Sequence, residues 1–169
     1  MQNLFGEAPI ESVRDLSVRR TRDRSMVNAL VAEWHSVLPN GLPGFRAAFV
    51  AEDANYNPVA VAVWGHPLAR AEDQEGTLEL ARLAHGPRSP RNTGSWMLAR
   101  MRGVLRQEFP DVARLISYQD CDAHDGALYR ADNWQLVYSS KQCGHSWNSR
   151  NGRIGTERKR KAKWERALR

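Results

Sequence analysis

Residues 77–118 run TLELARLAHGPRSPRNTGSWMLARMRGVLRQEFPDVARLISY, and three kinds of chain follow one another in them. Residues 77–84 alternate as a strand, with Leu78, Leu80 and Arg82 set against Glu79, Ala81 and Leu83. A loop bearing glycine and proline follows at 86–94. From Ser95, Met97, Met101, Val104 and Leu105 recur at helical spacing until Phe109-Pro110 ends the run. Residues 112–118 form a short apolar stretch, the pattern of a buried strand. Strand, glycine-bearing loop, helix and strand in that order imply two parallel neighbours and an α/β fold.

Upstream, residues 13–21 alternate as a first strand. Val27, Leu30, Val31 and Trp34 fall on one face of a helix that Asp23 or Ser25 can cap. Residues 45–51 and 59–64 are apolar runs around a polar turn, hence a hairpin. Downstream, 125–132 reads as a short helix and 134–138 as a strand. The expected order is β-α-β-β-β-α-β-α-β, within a body spanning 1–149.

The 169 residues suit one domain, and 41% hydrophobic with 26% charged residues is ordinary globular composition. No apolar run approaches the roughly 18 residues of a membrane helix. The first residues lack the basic-then-apolar layout of a signal peptide, so a cytoplasmic protein away from membranes is expected. Two cysteines, Cys121 and Cys143, are too few for a disulfide scaffold.

The net charge of +6 is unevenly spread. Residues 150–169 hold nine basic and two acidic side chains, which leaves the rest near neutral. A basic tail is expected there, with Arg150, Arg153, Arg158, Lys159, Arg160, Lys161 and Lys163 placed for nucleic acid. Trp147 and Trp164 could stack on bases or pack back on the body.

Several residues can carry chemistry. The Arg91-Asn92-Thr93-Gly94-Ser95 stretch opens a helix, where free backbone amides attract anions and Gly94 permits close approach. Asp120 follows a buried strand at its carboxyl end, where α/β sheets bind ligands, and it can orient or deprotonate an amine. Tyr129 can donate a proton. His35 and His66 are candidate bases. Cys121, Asp122, His124 and Asp125 match no closed zinc spacing, so no metal is expected.

Together with Leu128-Tyr129-Arg130-Ala131-Asp132-Asn133-Trp134, these pieces resemble the core of the GNAT N-acetyltransferase superfamily. That resemblance implies a mixed central sheet, flanked by helices, with a split between two parallel strands at 77–84 and 112–118. Acetyl-CoA or another acyl-CoA would lie in the split, along Arg82, Leu83, Arg91, Asn92, Thr93, Gly94 and Ser95. The superfamily's loop ends in glycine or alanine, where this chain has Trp96.

A narrower resemblance is to the Mom DNA-modification family of Mu-like phages. It rests on residues 78–83, 90–95, 116–120 and 124–134, with Trp34-His35 and residues 61–67 upstream. It implies conversion of the adenine exocyclic amine in DNA to a methylcarbamoyl adduct that blocks restriction nucleases. Ser95, Asp120 and Tyr129 would be catalytic, with Asp120 and Tyr129 facing the reacting group. Where the family has a tyrosine after the Trp-His pair, this chain has Ser36, and Thr93-Gly94 stands where relatives have Ser-Glu. The alternatives are an acetyltransferase for a small-molecule or protein amine, and a non-catalytic DNA-binding module on the same fold.

Overall fold

The computed structural model describes residues 10–139 and 160–169. A 3-10 turn (Val13–Asp15) leads into β1 (Ser17–Thr21), followed by α1 (Arg24–Trp34), β2 (Ala47–Glu52), β3 (Pro58–Gly65) and β4 (Thr77–His85). Then come α2 (Thr93–Glu108), β5 (Arg114–Asp120), α3 (Ala127–Ala131), β6 (Gln135–Ser139) and β7 (Lys161–Ala167). The strands form one sheet in the order β1-β2-β3-β4-β5-β7-β6. Only β4 and β5 pair in parallel.

Local chemistry sets the elements. Asp23 caps α1 by accepting the Met26 amide at 2.9 Å. Val27 and Val31 seat α1 on one face of the sheet against Val50, Val61, Val63 and Ala84. On the other face Met97, Met101 and Leu105 of α2 pack on Phe49, Trp64, Leu78 and Leu80. β2 and β3 read as unbroken apolar runs because helices cover both of their faces.

The carboxyl end of the chain corrects the sequence expectation. Residues 161–167 are not part of a separate tail: they form β7, seated between β5 and β6. Trp164 and Leu168 lie in the main core. Alternation explains this placement. Ala162 and Trp164 face inward on the α3 side, while Lys161, Lys163 and Glu165 take the opposite face.

Candidate active site

β4 and β5 hold together for four rungs, from Thr77 opposite Arg114 to Leu80 opposite Ser117. Beyond that rung each strand continues with a different neighbour. β4 stays with β3 up to His85, and β5 stays with β7 up to Asp120. The sheet therefore opens into a fork whose vertex is Leu80 and Ser117.

A bulge re-aims β4 at this point. Val63 pairs with Arg82 and Trp64 with Leu80, so Ala81 is an extra residue. Side-chain parity flips across it. Leu78 and Leu80 face α2, but Arg82 shares the α1 face with Val63, and Leu83 turns back toward α2. The expected alternation of Leu78, Leu80 and Arg82 on one side is corrected accordingly. Arg82 and Leu83 therefore serve opposite faces of the fork.

The α2 face carries an anion-ready helix start. Asn92 caps α2 in the left-handed conformation (φ 69°), without a side-chain cap. Thr93 Oγ1 donates to Pro90 O at 2.7 Å and Ser95 Oγ to Asn92 O at 3.2 Å, which ties the loop to the first turn. The amides of Gly94 and Ser95 meet no acceptor among the described residues. Gly94 sits in a tight place: a Cβ there would lie 3.2 Å from the His85 ring and 3.5 Å from Leu83. Arg91 is exposed beside this turn, whereas Arg88 is held by Asp53 at 2.9 Å. The Trp96 ring packs against the main core, with the Arg100 guanidinium 5.9 Å from its centroid. Open amides, Arg91 and the adjoining fork are a donor set that fits an acyl-CoA pyrophosphate.

At the vertex stands Tyr129. Its hydroxyl lies 2.7 Å from Ser117 Oγ, which in turn reaches Leu80 O at 3.4 Å. The ring stacks on Trp164 at 5.3 Å and meets the edge of Trp134 at 5.5 Å. Burial pushes the Tyr129 phenol above its ordinary pKa, opposed by the Ser117 hydrogen bond. Ser117, part of the quoted strand but assigned no role from sequence, completes this contact.

The α1 face holds four polar groups, of which sequence reasoning singled out Arg82 and His35 but gave Glu79 and Tyr118 no part in the site. Glu79 is 5% exposed and accepts the Leu68 amide at 2.8 Å. Burial raises its pKa, against the pull of that amide, Arg82 and Lys161. Arg82 gives one hydrogen bond, to Ala81 O at 2.7 Å, and its Nε is buried without an acceptor among the described residues. Burial lowers its pKa while Glu79 raises it. Tyr118 is pushed up to about 12 by burial, then by Glu72, Tyr138 and Glu79. His35 ends α1, with Nδ1 accepting the Val37 and Leu38 amides at 3.3 and 2.9 Å. Burial, then the charges of Arg82 and His124, hold its imidazole below the ordinary value.

The remaining expectations sort as follows. Asp120 ends β5, and its Oδ1 accepts the Asp122 amide at 3.0 Å, so its carboxylate shapes the following turn. His66 Nδ1 contacts Gln74 O at 3.0 Å, away from the fork. Among the described residues no group of three or more His, Cys, Asp or Glu side chains could share a metal ion. Arg150, Arg153, Arg158, Lys159, Trp147 and Cys143 lie outside the described residues. Arg160 pairs with Asp122 at 3.2 Å, and Lys161 is exposed. Lys163 corrects its expected role in DNA contact: it is 7% exposed and bonded to Glu72, which also pairs with Arg114 at 2.8 Å. No described helix is long and apolar enough to cross a membrane.

A split parallel pair, a bulged β4 and an open helix start define a GNAT-type fold, and solved structures agree. A Salmonella typhimurium protein, yncA, solved with its cofactor acetyl-CoA, superposes with TM-score 0.64 at 14% identity, over 92% of this chain and 95% of its own. A GNAT superfamily phosphinothricin acetyltransferase from Sinorhizobium meliloti, in complex with acetyl-CoA, gives 0.61 at 17%, over 91% and 89%. The ribosomal-protein-S18-alanine N-acetyltransferase of Escherichia coli gives 0.61 at 14%, over 90% and 94%. No curated protein matches the sequence. Residues 56–168 match the Mom protein family, and the chain belongs to it. The match runs through β7, the segment expected to be a tail.

Proposed function

We propose that this protein is an acyltransferase-like enzyme that modifies the exocyclic amine of adenine in DNA, giving a methylcarbamoyl-type adduct that protects the DNA from restriction. Membership of the Mom family carries this reading, because the match spans both arms of the fork, the α2 start and Tyr129. An acyl-CoA, when bound, would supply an activated carbonyl carbon with the CoA thiolate as leaving group, and a methylcarbamoyl adduct requires that the transferred acyl group already carry the methylamino nitrogen; Arg91, Leu83 and the amides of Gly94 and Ser95 are the residues that would hold it.

The exocyclic amine is a weak nucleophile because its lone pair is delocalised into the ring. It needs a fixed position and a nearby proton acceptor. Tyr129 supports the opposite need. Its phenol is protonated at neutral pH even with its ordinary acidity, and it stands at the vertex as a proton donor, 2.7 Å from Ser117 Oγ. A base paired within a duplex must leave the stack to enter the fork, and single-stranded DNA lowers that cost.

The test is mass spectrometry of nucleosides from plasmid DNA recovered from bacteria expressing the protein. A heavier deoxyadenosine is expected, falling about a hundredfold with Tyr129→Phe, the loss typical of a missing general acid. Unmodified nucleosides from cells with soluble wild-type protein would reject the reading.

A further inference from the structure

We propose that Glu79 and Arg82 form the subsite that reads the target base, on the α1 face of the fork and across the sheet from the open start of α2. The inference rests on the DNA-modifying function proposed above and names how the base is recognised. Glu79 lies one rung inside the vertex, opposite Ile116, and Arg82 lies two residues beyond Leu80. The Ala81 bulge places both side chains on the same face. With regular alternation, Arg82 would have joined Leu78 and Leu80 beneath α2. Around the pair stand Tyr118, coupled to Glu79, and His35, coupled to Arg82.

The donor pattern fits one class of ligand. A carboxylate accepts an N–H of an exocyclic amine, and a guanidinium donates to an unprotonated ring nitrogen beside it. Adenine and cytosine present that adjacent donor and acceptor. On its Watson–Crick edge guanine presents N1–H beside the amine and would meet Arg82 donor to donor. Arg82 has a single hydrogen bond among the described residues, given by Nη1, so of the five donors of its guanidinium those on Nη2 remain for a base. Glu79 still has an oxygen that does not bond Leu68.

Placing Arg82 here separates it from the donor. Loss of Arg82 should then affect the acceptor and leave acyl-CoA untouched, the reverse of a role along the pyrophosphate. Glu79→Gln preserves the bond from Leu68 and the side-chain shape; Arg82→Lys keeps the charge but loses the planar set of donors. Both are measured for modified deoxyadenosine in plasmid DNA, for acetyl-CoA affinity by calorimetry and for thermal midpoint.

Expected is at least a tenfold fall in modification for each variant, about the cost of leaving one recognition hydrogen bond unmade. Acetyl-CoA affinity stays within about twofold of wild type, and the Glu79→Gln midpoint does not fall, which a merely structural glutamate would not allow. If both variants modify DNA like wild type, or if Arg82→Lys weakens acetyl-CoA instead, the inference is overturned while the DNA-modifying reading stands. Wild-type protein that leaves every nucleoside unmodified would remove that reading and the inference together.

Discussion

A carboxylate with 5% exposure is costly to ionise unless its surroundings compensate, and around Glu79 they do so incompletely. The Leu68 amide and the charges of Arg82 and Lys161 favour the charged form, but burial outweighs them and its pKa lies above the ordinary 4.5. The sign of the stability effect follows by linkage. In acid, below 4.5, Glu79 is protonated in both folded and unfolded chains and contributes no penalty. As pH rises through the raised folded value, the unfolded chain ionises more readily, and folded stability is lost. Glu79→Gln has no such titration. Its melting temperature should match wild type in acid and exceed it toward pH 8, read by thermal unfolding across the pH range. A gap of the opposite sign at pH 8 would mean that Arg82 and Lys161 hold the carboxylate favourably. Tyr129 and the Gly94-Ser95 amides were legible from sequence because a tyrosine after a helix-opening glycine and a glycine-bearing helix start carry local signals. Glu79 was not, since one extra residue at Ala81 decides which side chains share its face.

At the scale of elements, periodicity located nine of the structure's eleven pieces in essence and missed what depends on partners. The amphipathic spacing of α1 and α2, the hairpin of β2 and β3, and the short α3 all appear in the expected order. The β-bulge left no pattern of its own, because Ala81 suits either face. Gly126 is a second point where local geometry governs an element. It opens α3 at φ 76°, a region L-residues rarely adopt, and so aims Tyr129 at the vertex. A Cβ there would stand 2.7 Å from both Gln119 Oε1 and Trp164 Cζ2. The two side chains are themselves bonded, since Trp164 Nε1 donates to Gln119 Oε1 at 2.6 Å, so neither moves cheaply. Gly126→Ala should destabilise the fold by about 2 kcal/mol or more, combining left-handed strain with overpacking. Chemical denaturation measures it; a change under about 0.5 kcal/mol, the scatter of surface substitutions, would show that the turn relaxes without cost.

For the molecule as a whole, the decisive segment is the one whose charge concealed it. Lys161 to Ala167 reads Lys-Ala-Lys-Trp-Glu-Arg-Ala, and its dense charge suggests a solvated tail. The period-two placement of Ala162 and Trp164 was the available strand signal. What makes the charges tolerable is supplied from elsewhere in the chain: Glu72 accepts from Lys163, Arg114 donates to Glu165 at 3.3 Å, and Asp132 O accepts from Arg166. No local pattern reveals such partners, which lie 34 to 91 residues away. β7 joins β5 to β6 and brings Trp164 against Tyr129, so the closing strand also supports the vertex. Removing residues 161–169 should therefore abolish cooperative unfolding, rather than merely weaken attraction to DNA. Trp164→Ala alone should cost about 3–5 kcal/mol, as for a large core side chain. Lys161→Ser provides the contrast, because Lys161 is exposed and the strand survives its loss. That variant should keep its melting temperature within a few degrees while its DNA affinity becomes less dependent on salt, by about one unit of slope if Lys161 meets a phosphate. A truncated chain that still unfolds cooperatively would show that β5 tolerates an open edge, and β7 would then be an accessory to the sheet instead of part of its core.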